Sequence, residues 1–315
     1  MRIPIDKLRS YFPLLTLIVL STAVSIIDPG FLRPDNLLSM ASDVAALLVM
    51  ALGITLVIYI GGIDLSAQSI ANMTTVLATV TVASLGPWTT GFVLLVGALV
   101  GTTSGIASTK LKVPSFIATL ALGGIALSAG AYFSNQQSVS MDDDMRQQSF
   151  GWIIGTTAAI PNEVLIGAAL LLALLFVERC TGFGRALKAI GAGEAAAIAS
   201  GLRVHRFKIL AYAVSGMLAA AAGLIFAARL AGGGPNVAEG FLLPAIVAVL
   251  IGGTPLTGGV GGILNTLIGT LIVAVIRTGM VYMEIPAHSQ QLFFGLILIV
   301  AIAATIDRSK LSTVK

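Results

Sequence analysis

The feature that most constrains this chain is a repeated run of apolar residues long enough to cross a lipid bilayer. A helix needs about 20 apolar residues to span the hydrocarbon layer, because backbone groups without hydrogen-bond partners are not tolerated there. Hydrophobic residues make up 57% of the 315-residue sequence and charged residues 10%, which excludes an ordinary soluble domain. The predicted spans are Tyr11–Ile27, Leu37–Ile60, Leu65–Ser84, Gly91–Ser108, Ser115–Phe133, Ile160–Val177, Ile209–Ala228, Phe241–Ile251, Ile263–Ile276 and Ser289–Ile306.

The distribution of basic residues predicts the orientation of these spans, since lysine and arginine concentrate in cytoplasmic loops. With ten crossings and cytoplasmic N- and C-termini, 14 of the 18 Lys and Arg residues fall on the cytoplasmic side. The exceptions are Arg33, Arg146, Arg229 and Arg277. A re-entrant hairpin at Phe241–Ile251 would instead move the basic tail outside, unless a second segment also failed to cross.

The predicted fold is therefore an all-α polytopic membrane protein with about ten transmembrane helices and glycine-broken segments. Residues 1–315 form a single transmembrane domain, with a main external loop at 134–151 and a cytoplasmic loop at 178–208. No small-x-small cleavage site precedes Asp28-Pro29, so we expect the first span to be retained rather than removed as a secretory signal.

The residues for catalytic chemistry are scarce. One cysteine, Cys180, excludes a disulfide framework and a multi-cysteine metal site, and His205 and His288 lie in separate segments. No Gly-Lys pair occurs, so the chain has no Walker-type loop to bind ATP phosphates. The net charge of +4 comes without a basic stripe interleaved with aromatic residues, so no nucleic-acid partner is expected. We expect no cofactor and no metal.

Two further patterns, a row of glycines and a run of aspartates, have structural interpretations. Gly97, Gly101 and Gly105 recur every four residues and predict a close helix contact, either within the chain or with a second copy. In the external loop Asp142-Asp143-Asp144 offers cation ligands, but without other fixed oxygen ligands we favour a solvated loop.

A short internal echo links two glycine pairs that follow apolar runs. Ile60–Ser66 reads IGGIDLS and Ile251–Thr257 reads IGGTPLT. Repeated halves with glycine-interrupted helices are common in transporters, although glycine is abundant enough here for chance to account for the match. The predicted helix-break glycines are Gly61, Gly62, Gly252 and Gly253.

Asp64 is a carboxylate placed between two spans. It has two interpretations: a cap for the helix that begins after Leu65-Ser66, or a group that faces a water-filled path, and the two roles are compatible. Four polar residues follow it on one stripe of the third span, at helical spacing: Gln68, Asn72, Thr75 and Thr79. That stripe predicts interhelical hydrogen bonds or the wall of a hydroxyl-friendly channel.

The cytoplasmic segment 178–208 contains a short alanine-rich helix, predicted from Glu194 to Ser200. Its acid lies in the first turn and Gly201 lies at the C′ position. The helix has almost no apolar bulk, so its small-residue face suits docking into a groove on another protein.

Three segments, in order, resemble the membrane permeases of ribose-type bacterial ABC importers. They are GGIDLS at 61–66, GFGRA at 182–186 running into IGAGEAA at 190–196 with Ser200-Gly201, and GGTPLTGGVG at 252–261. The resemblance covers nearly the whole chain. Permeases of this family handle monosaccharides, related sugars and the autoinducer-2 signal.

The resemblance implies a subunit of a multi-pass importer in the bacterial inner membrane. Two permease copies or paralogues form a pore, a periplasmic sugar-binding protein delivers the solute, and a cytoplasmic ABC ATPase drives alternating access. By the same resemblance the 194–201 helix is a coupling helix. Its candidate ATPase-contacting residues are Glu194, Ala195, Ala196, Ser200, Gly201 and Arg185. Family members often have Asn before the acid and a basic residue within the helix, where this chain has Gly193 and Ile198.

Other function classes stay open at the level of sequence. An ion-coupled secondary carrier would use Asp64 or Asp43 to bind a proton or cation. ABC permeases for nucleosides or branched-chain amino acids are related groups, whereas a membrane enzyme lacks any catalytic constellation. Specificity in such importers is expected to lie largely in the binding protein, so the sequence does not identify the solute.

Overall fold

The computed structural model describes residues 5–305, and this range is mostly helical. The helices are α1 (Ile5–Ile27), α2 (Pro34–Asp43), α3 (Ala45–Tyr59), α4 (Ala67–Leu85), α5 (Thr89–Thr109), α6 (Ser115–Phe133), α7 (Asp143–Ile154), α8 (Asn162–Cys180), α9 (Gly182–Ala192), α10 (Glu194–Ala199), α11 (Val204–Leu230), α12 (Leu242–Ile251), α13 (Ile263–Tyr282) and α14 (Ala287–Thr305). Two short antiparallel strand pairs join β1 (Val139–Ser140) to β4 (Gly232–Gly233) and β2 (Thr156–Thr157) to β3 (Ile160–Pro161). Four predicted cytoplasmic cations lie outside the described residues: Arg2, Arg308, Lys310 and Lys315.

Several helices have the length and composition of membrane spans. Four helical stretches qualify on their own, namely Ala67–Thr109, Ser115–Phe133, Val204–Leu230 and Ile263–Tyr282. Two bent pairs, α2 with α3 and α8 with α9, raise the number within the described residues to six. The Ala67–Thr109 stretch contains two predicted spans, and its halves α4 and α5 pack on each other and on α11. The structure therefore shows a multi-span helical membrane protein.

The second predicted span, Leu37–Ile60, is broken at Val44. Helices α2 and α3 meet there at 49°. At the break the Arg229 guanidinium donates to the Ser42 carbonyl oxygen at 3.0 Å and to the Asp43 carboxylate at 2.7 Å. The Ser42 carbonyl thus has a partner outside the helix ladder.

Contacts between helix termini define two ends of the bundle. At one end Arg229 lies beside Asp43 and Glu163, and we call this the Arg229 end. At the other, the Glu178 end, Tyr59 and Glu178 are hydrogen-bonded at 3.0 Å. Helices α3 and α8 therefore each run from the Arg229 end to the Glu178 end, as the predicted alternation of spans requires.

Helix α11 lies at the centre of the bundle, in contact with α3, α4 and α5. The predicted glycine stripe of α5 packs on it: a Cβ added to Gly101 would lie 2.1 Å from the Tyr212 carbonyl oxygen. Gly97 and Gly105 make similarly close contacts with Gly216 and Ile209. The prediction of a close helix contact is confirmed, and the contact lies within the chain.

The predicted solvated loop 134–151 is partly helical. Asp142 caps α7 by accepting hydrogen bonds from the Asp144 and Met145 backbone N–H groups at 3.0 and 3.4 Å. Arg146 Nε then donates to the Ala228 carbonyl oxygen at 2.7 Å, which ties α7 to the last turn of α11. The three acids begin a helix docked on the bundle.

The two glycine pairs of the internal echo end helices by the same motif. Gly61 has a φ of +71°, and the Gly62 and Gly61 N–H groups bond back to the Val57 and Ile58 carbonyls, as in a Schellman cap. At the end of α12 the residue with positive φ is Gly253, at +99°, with the equivalent bonds made by Thr254 and Gly253. The shared motif is thus offset by one residue relative to the sequence echo.

Candidate functional site

The Asp64 carboxylate is buried and fully engaged. Its Oδ1 accepts hydrogen bonds from the Ser66 N–H at 2.9 Å and the Ser66 hydroxyl at 2.6 Å. Its Oδ2 accepts from the Ser215 hydroxyl at 2.7 Å, near the middle of the 27-residue helix α11. The side chain therefore holds the turn before α4 and joins that turn to α11, but it accepts no hydrogen bond from an N–H group in the first turn of α4.

Side chains of α6 hydrogen-bond the backbone on either side of Asp64. The Ser115 hydroxyl accepts a hydrogen bond from the Ile63 N–H at 3.1 Å, and the Thr119 hydroxyl accepts from the Leu65 N–H at 3.0 Å. These two residues were missed at the sequence level. Their spacing of four was a usable signal, since it places both hydroxyls on one face of the fifth span.

The polar stripe of α4 faces the irregular backbone between α11 and α12. Gln68 Oε1 accepts from the Leu242 N–H at 3.2 Å, and Asn72 Oδ1 accepts from the Ala238 N–H at 2.6 Å. The Thr75 hydroxyl lies 3.1 Å from both the N–H and the carbonyl oxygen of Gly234. The fourth member, Thr79, donates to the carbonyl of Thr75 in its own helix at 2.9 Å.

The course of residues 231–262 through the bundle explains why these hydrogen bonds form. The segment leaves α11 at the Arg229 end and reaches the first turn of α13 at the Glu178 end, where a Cβ on Gly252 would lie 2.1 Å from the Asn265 carbonyl oxygen. Helix α12 has ten residues and is about 15 Å long. Residues 234–241 complete the crossing without helix, and the backbone N–H groups of Gly234 and Ala238 donate to side chains of the α4 stripe instead.

A second cluster of polar side chains is buried at the Glu178 end. Glu178 accepts from the Tyr59 hydroxyl at 3.0 Å, from the Lys188 ammonium at 2.5 Å and from the Ile263 N–H at 3.0 Å. Lys188 also donates to the Gly261 carbonyl oxygen at 3.0 Å. We call these five residues the Glu178 junction; it joins α3, α8, α9 and the start of α13.

The backbone packs closely beside this junction. Gly259 donates its N–H to the Tyr59 carbonyl oxygen at 3.0 Å. A Cβ on Gly191 would lie 1.9 Å from that same oxygen and 2.4 Å from the Gly259 nitrogen, so only glycine fits. All three segments of the sequence resemblance therefore meet here, because Gly258 also lies against Gly61.

The predicted coupling helix is α10, and it follows this junction directly. It ends in a third Schellman cap, with Gly201 at a φ of +84°, so the predicted C′ position of Gly201 is confirmed. Ala197 is buried and holds the helix on the bundle. All six candidate coupling residues are exposed: Glu194, Ala195, Ala196, Ser200, Gly201 and Arg185.

Two further side chains of the α10 region bear on docking. Glu194 pairs with Lys208 at the start of α11 at 2.6 Å, which fixes the first turn of α10. Ile198, one of the departures from the family pattern, is 55% exposed. An exposed isoleucine among alanines is a small apolar surface that a groove on another protein would cover.

The Glu178 junction was not predicted. Glu178, Lys188 and Tyr59 are local members of a basic loop and an apolar span, and nothing in their spacing indicates that they meet. Within the described residues no group of three or more His, Cys, Asp or Glu side chains is arranged to hold a metal ion.

Comparison with known proteins gives the family. Residues 36–302 match the family model described as the permease component of branched-chain amino acid transport systems. The chain is 33% identical over 292 residues to the ribose import permease protein RbsC of Escherichia coli (strain K12), covering 92% of this chain and 91% of that protein. It is 34% identical to RbsC of Bacillus subtilis (strain 168) over 95% and 92% of the two chains.

A more distant relative is the xylose transport system permease protein XylH of Escherichia coli (strain K12), 29% identical over 87% of this chain and 86% of that protein. No solved structure matches the chain. Because the family model covers most of the chain and the RbsC relatives align over nearly their full length, this protein is a multi-span membrane permease that belongs to the branched-chain amino acid transport permease family.

Proposed function

We propose that this chain is the membrane-spanning permease subunit of an ATP-driven ABC importer. It moves a monosaccharide or a related small polyhydroxylated solute into the cytoplasm by alternating access, and it hydrolyses no ATP itself. The likeness to ribose and xylose permeases supports the solute class. The lack of a Gly-Lys phosphate loop supports a separate ATPase subunit.

The observation that carries the proposal is the position of α10, which packs on α9, the helix that carries Lys188 and Gly191. A force on this exposed helix passes through Gly191 to the end of α3 and, through Lys188 and Glu178, to the start of α13. Packed backbone contacts and a buried ion pair transmit displacement because they leave little room to deform. An ATPase docked on α10 would thereby move two membrane helices together.

The proposed topology has ten crossings with both termini in the cytoplasm. The Glu178 end then faces the cytoplasm with loop 178–208, and the Arg229 end faces the periplasm with loop 134–151. The irregular traverse 231–262 counts as the eighth crossing. Asp64, Gln68, Asn72 and Thr75 belong to the translocation path through the broken segments that they hold, and Thr79 belongs to it as the next member of the same stripe.

The proposed partners follow from this arrangement. A cytoplasmic ABC ATPase binds α10, and a periplasmic sugar-binding protein binds the Arg229 end. A second copy or a paralogue completes the pore in the lipid bilayer of the bacterial inner membrane.

The test is uptake of radiolabelled D-ribose, D-xylose and L-leucine into proteoliposomes. The permease is reconstituted with its ATPase and binding protein, with ATP or a non-hydrolysable analogue on the cytoplasmic side. ATP-dependent uptake of a sugar supports the proposal. Uptake by the permease alone, driven by a proton gradient, would establish an ion-coupled carrier and overturn it.

A branched-chain amino acid permease is the second candidate, favoured by the description of the matching family model. ATP-dependent uptake of L-leucine without either sugar would establish it. The proposed coupling through α10 is common to both candidates, whereas the solute class distinguishes them.

A further inference from the structure

Two adjoining cavities lie at the Arg229 end. Neither is lined by a residue of the α4 stripe or of the Glu178 junction. The larger has a volume of about 550 Å³ and opens between the ends of α2, α11 and α13 and the start of α14. The smaller, of about 300 Å³, continues toward Gly240 and Phe294. Their sizes are those of small-molecule sites. Arg277, Phe241 and Gln290 line both.

Arg277 has no hydrogen bond and no ion pair within the described residues, although Asp43 is near enough to interact with it electrostatically. The residue lies in α13 and is half-buried. A guanidinium carries five N–H donors. At the wall of an open cavity, donors without a protein partner are available to a ligand.

Aromatic rings in the larger cavity hold the guanidinium in position. The guanidinium carbon of Arg277 lies over the Phe241 ring, 4.8 Å from its centroid, and Phe241 packs edge-on against Phe226 at 4.7 Å. A cation over a ring face is attracted by the ring, so Phe241 keeps the guanidinium at the cavity wall.

The charges around the cavities favour a neutral ligand. Arg229 is already paired with Asp43, and across the two cavities the remaining lining charges are Arg277 and Glu239. One cation and one anion need no ligand charge to balance them. Gln290 and Thr278 add uncharged donors and acceptors that make no hydrogen bond within the described residues.

The wall of the cavities is tied to the broken crossing. Val237 and Phe241 line the larger cavity, and the backbone of the same segment is held by Asn72 and Gln68 of α4. A ligand that binds Arg277 therefore contacts the segment whose conformation the polar stripe controls.

We propose that these cavities form a binding site for a neutral, polyhydroxylated small molecule, with Arg277 as its main hydrogen-bond donor. The proposal rests on the proposed function, for which it supplies the place where solute first binds to the permease. Phe226 and Phe241 form its apolar floor, while Thr278, Gln290 and Glu239 supply further polar contacts.

The first test substitutes Arg277 in the complete importer, with permease, ATPase and binding protein together. We expect Arg277→Gln to raise the KM for the transported sugar about tenfold, which is the effect of one lost charged hydrogen bond. Arg277→Lys keeps the charge without the planar fork, so an intermediate KM is expected. Lys110→Gln removes an exposed cation after α5 that lines neither cavity and should leave the KM unchanged.

The second test measures binding without transport. Cys180 is the only cysteine, so a Cys180→Ser background allows one introduced cysteine to be followed. Thr278→Cys places a thiol at the larger cavity, and Ser84→Cys places one at an exposed site outside it. D-ribose or D-xylose should slow labelling of Thr278→Cys by an impermeant maleimide and leave labelling of Ser84→Cys unchanged.

The outcomes separate this inference from the proposed function. If the importer transports sugar while Arg277→Gln, Arg277→Lys and wild type share one KM and no sugar protects Thr278→Cys, the cavity proposal is wrong and the transport proposal stands. If sugar protects Thr278→Cys but the complete importer moves none, the cavity is a sugar site and the transport proposal is wrong. Neither protection nor sugar transport would overturn both.

Discussion

The Lys188 ammonium lies 2.5 Å from Glu178 Oε1 in a largely buried position, where the Glu178 side chain is 6% and the Lys188 side chain 33% exposed. The lysine is also 5.2 Å from the centroid of the Tyr59 ring. This pair joins α9, which leads into the proposed coupling helix, to α8, and the other Glu178 oxygen holds the first N–H of α13. Its removal should affect both stability and coupling.

Glu178→Gln tests that pair. The variant keeps an acceptor for the Ile263 N–H but leaves the Lys188 charge without its counter-ion, so we expect a loss of about 1–3 kcal/mol in stability. The measurement is thermal unfolding in detergent. Glu194→Gln is the matched control, because its pair with Lys208 is more exposed and should contribute about 0–1 kcal/mol. Equal, small losses in both variants would contradict the assignment of a buried junction.

The backbone contact beside the junction makes Gly191 intolerant of any side chain. In Gly191→Ala the added Cβ would lie 1.9 Å from the Tyr59 carbonyl oxygen, well below the van der Waals contact distance. We expect a strong fall in folded yield by size-exclusion chromatography. Gly182→Ala, in the same helix with no heavy atom within 4 Å of its added Cβ, should behave as wild type. A well-folded Gly191→Ala protein would show that the three segments do not meet this closely.

Asn72→Leu removes the acceptor of the Ala238 N–H and leaves that donor buried. We expect a loss of about 1–3 kcal/mol, seen as a lower unfolding temperature. Thr81→Val on the same helix is the control, since its hydroxyl bonds only the Leu77 carbonyl of its own helix. Sugar uptake by the same variants tests the path: an unchanged rate and apparent affinity in Asn72→Leu would remove Asn72 from it.

Asp64→Asn distinguishes a structural carboxylate from an ion-coupling one. The amide oxygen can still accept from Ser66, and the Ser215 hydroxyl can turn to accept from the amide nitrogen. We therefore expect transport to be retained within about a factor of ten, with a stability loss of about 1 kcal/mol. Loss of ATP-driven uptake in a stable, well-folded Asp64→Asn protein would refute this purely structural role.

Ile198→Asp places a charge on the exposed face of α10. Because Ile198 is 55% exposed, the isolated permease should keep its stability, whereas docking into an apolar groove should be lost. The measurement is ATPase stimulation in the reconstituted complex, which we expect to fall at least about tenfold. Val260→Asp is the control, equally exposed at the same end but outside α10. The same loss in both variants would argue against α10 as the ATPase contact.

Short-range sequence patterns determined much of this protein's secondary structure. The lengths of the apolar runs, and the acid and glycine of α10, predicted helices whose bounds mostly lie within a few residues of those observed. The glycine pairs predicted the helix breaks at Gly61 and Gly253. These features depend on interactions between residues close in sequence, such as backbone hydrogen bonds and positive φ at a helix end. The sequence also placed Gln68, Asn72 and Thr75 on one face of one helix.

Only the tertiary structure decided what those faces meet. Spacing along α4 could not identify the backbone of 234–242 as its partner, since the two are about 160 residues apart in sequence. Their contact depends on how α11, which leads into this segment, packs on α4. The same holds for Glu178, which reads as part of a solvated basic loop and becomes a buried junction because Tyr59, Lys188 and Ile263 are brought to it by three other elements. Burial and charge pairing at that point are properties of the assembled bundle, not of any one segment.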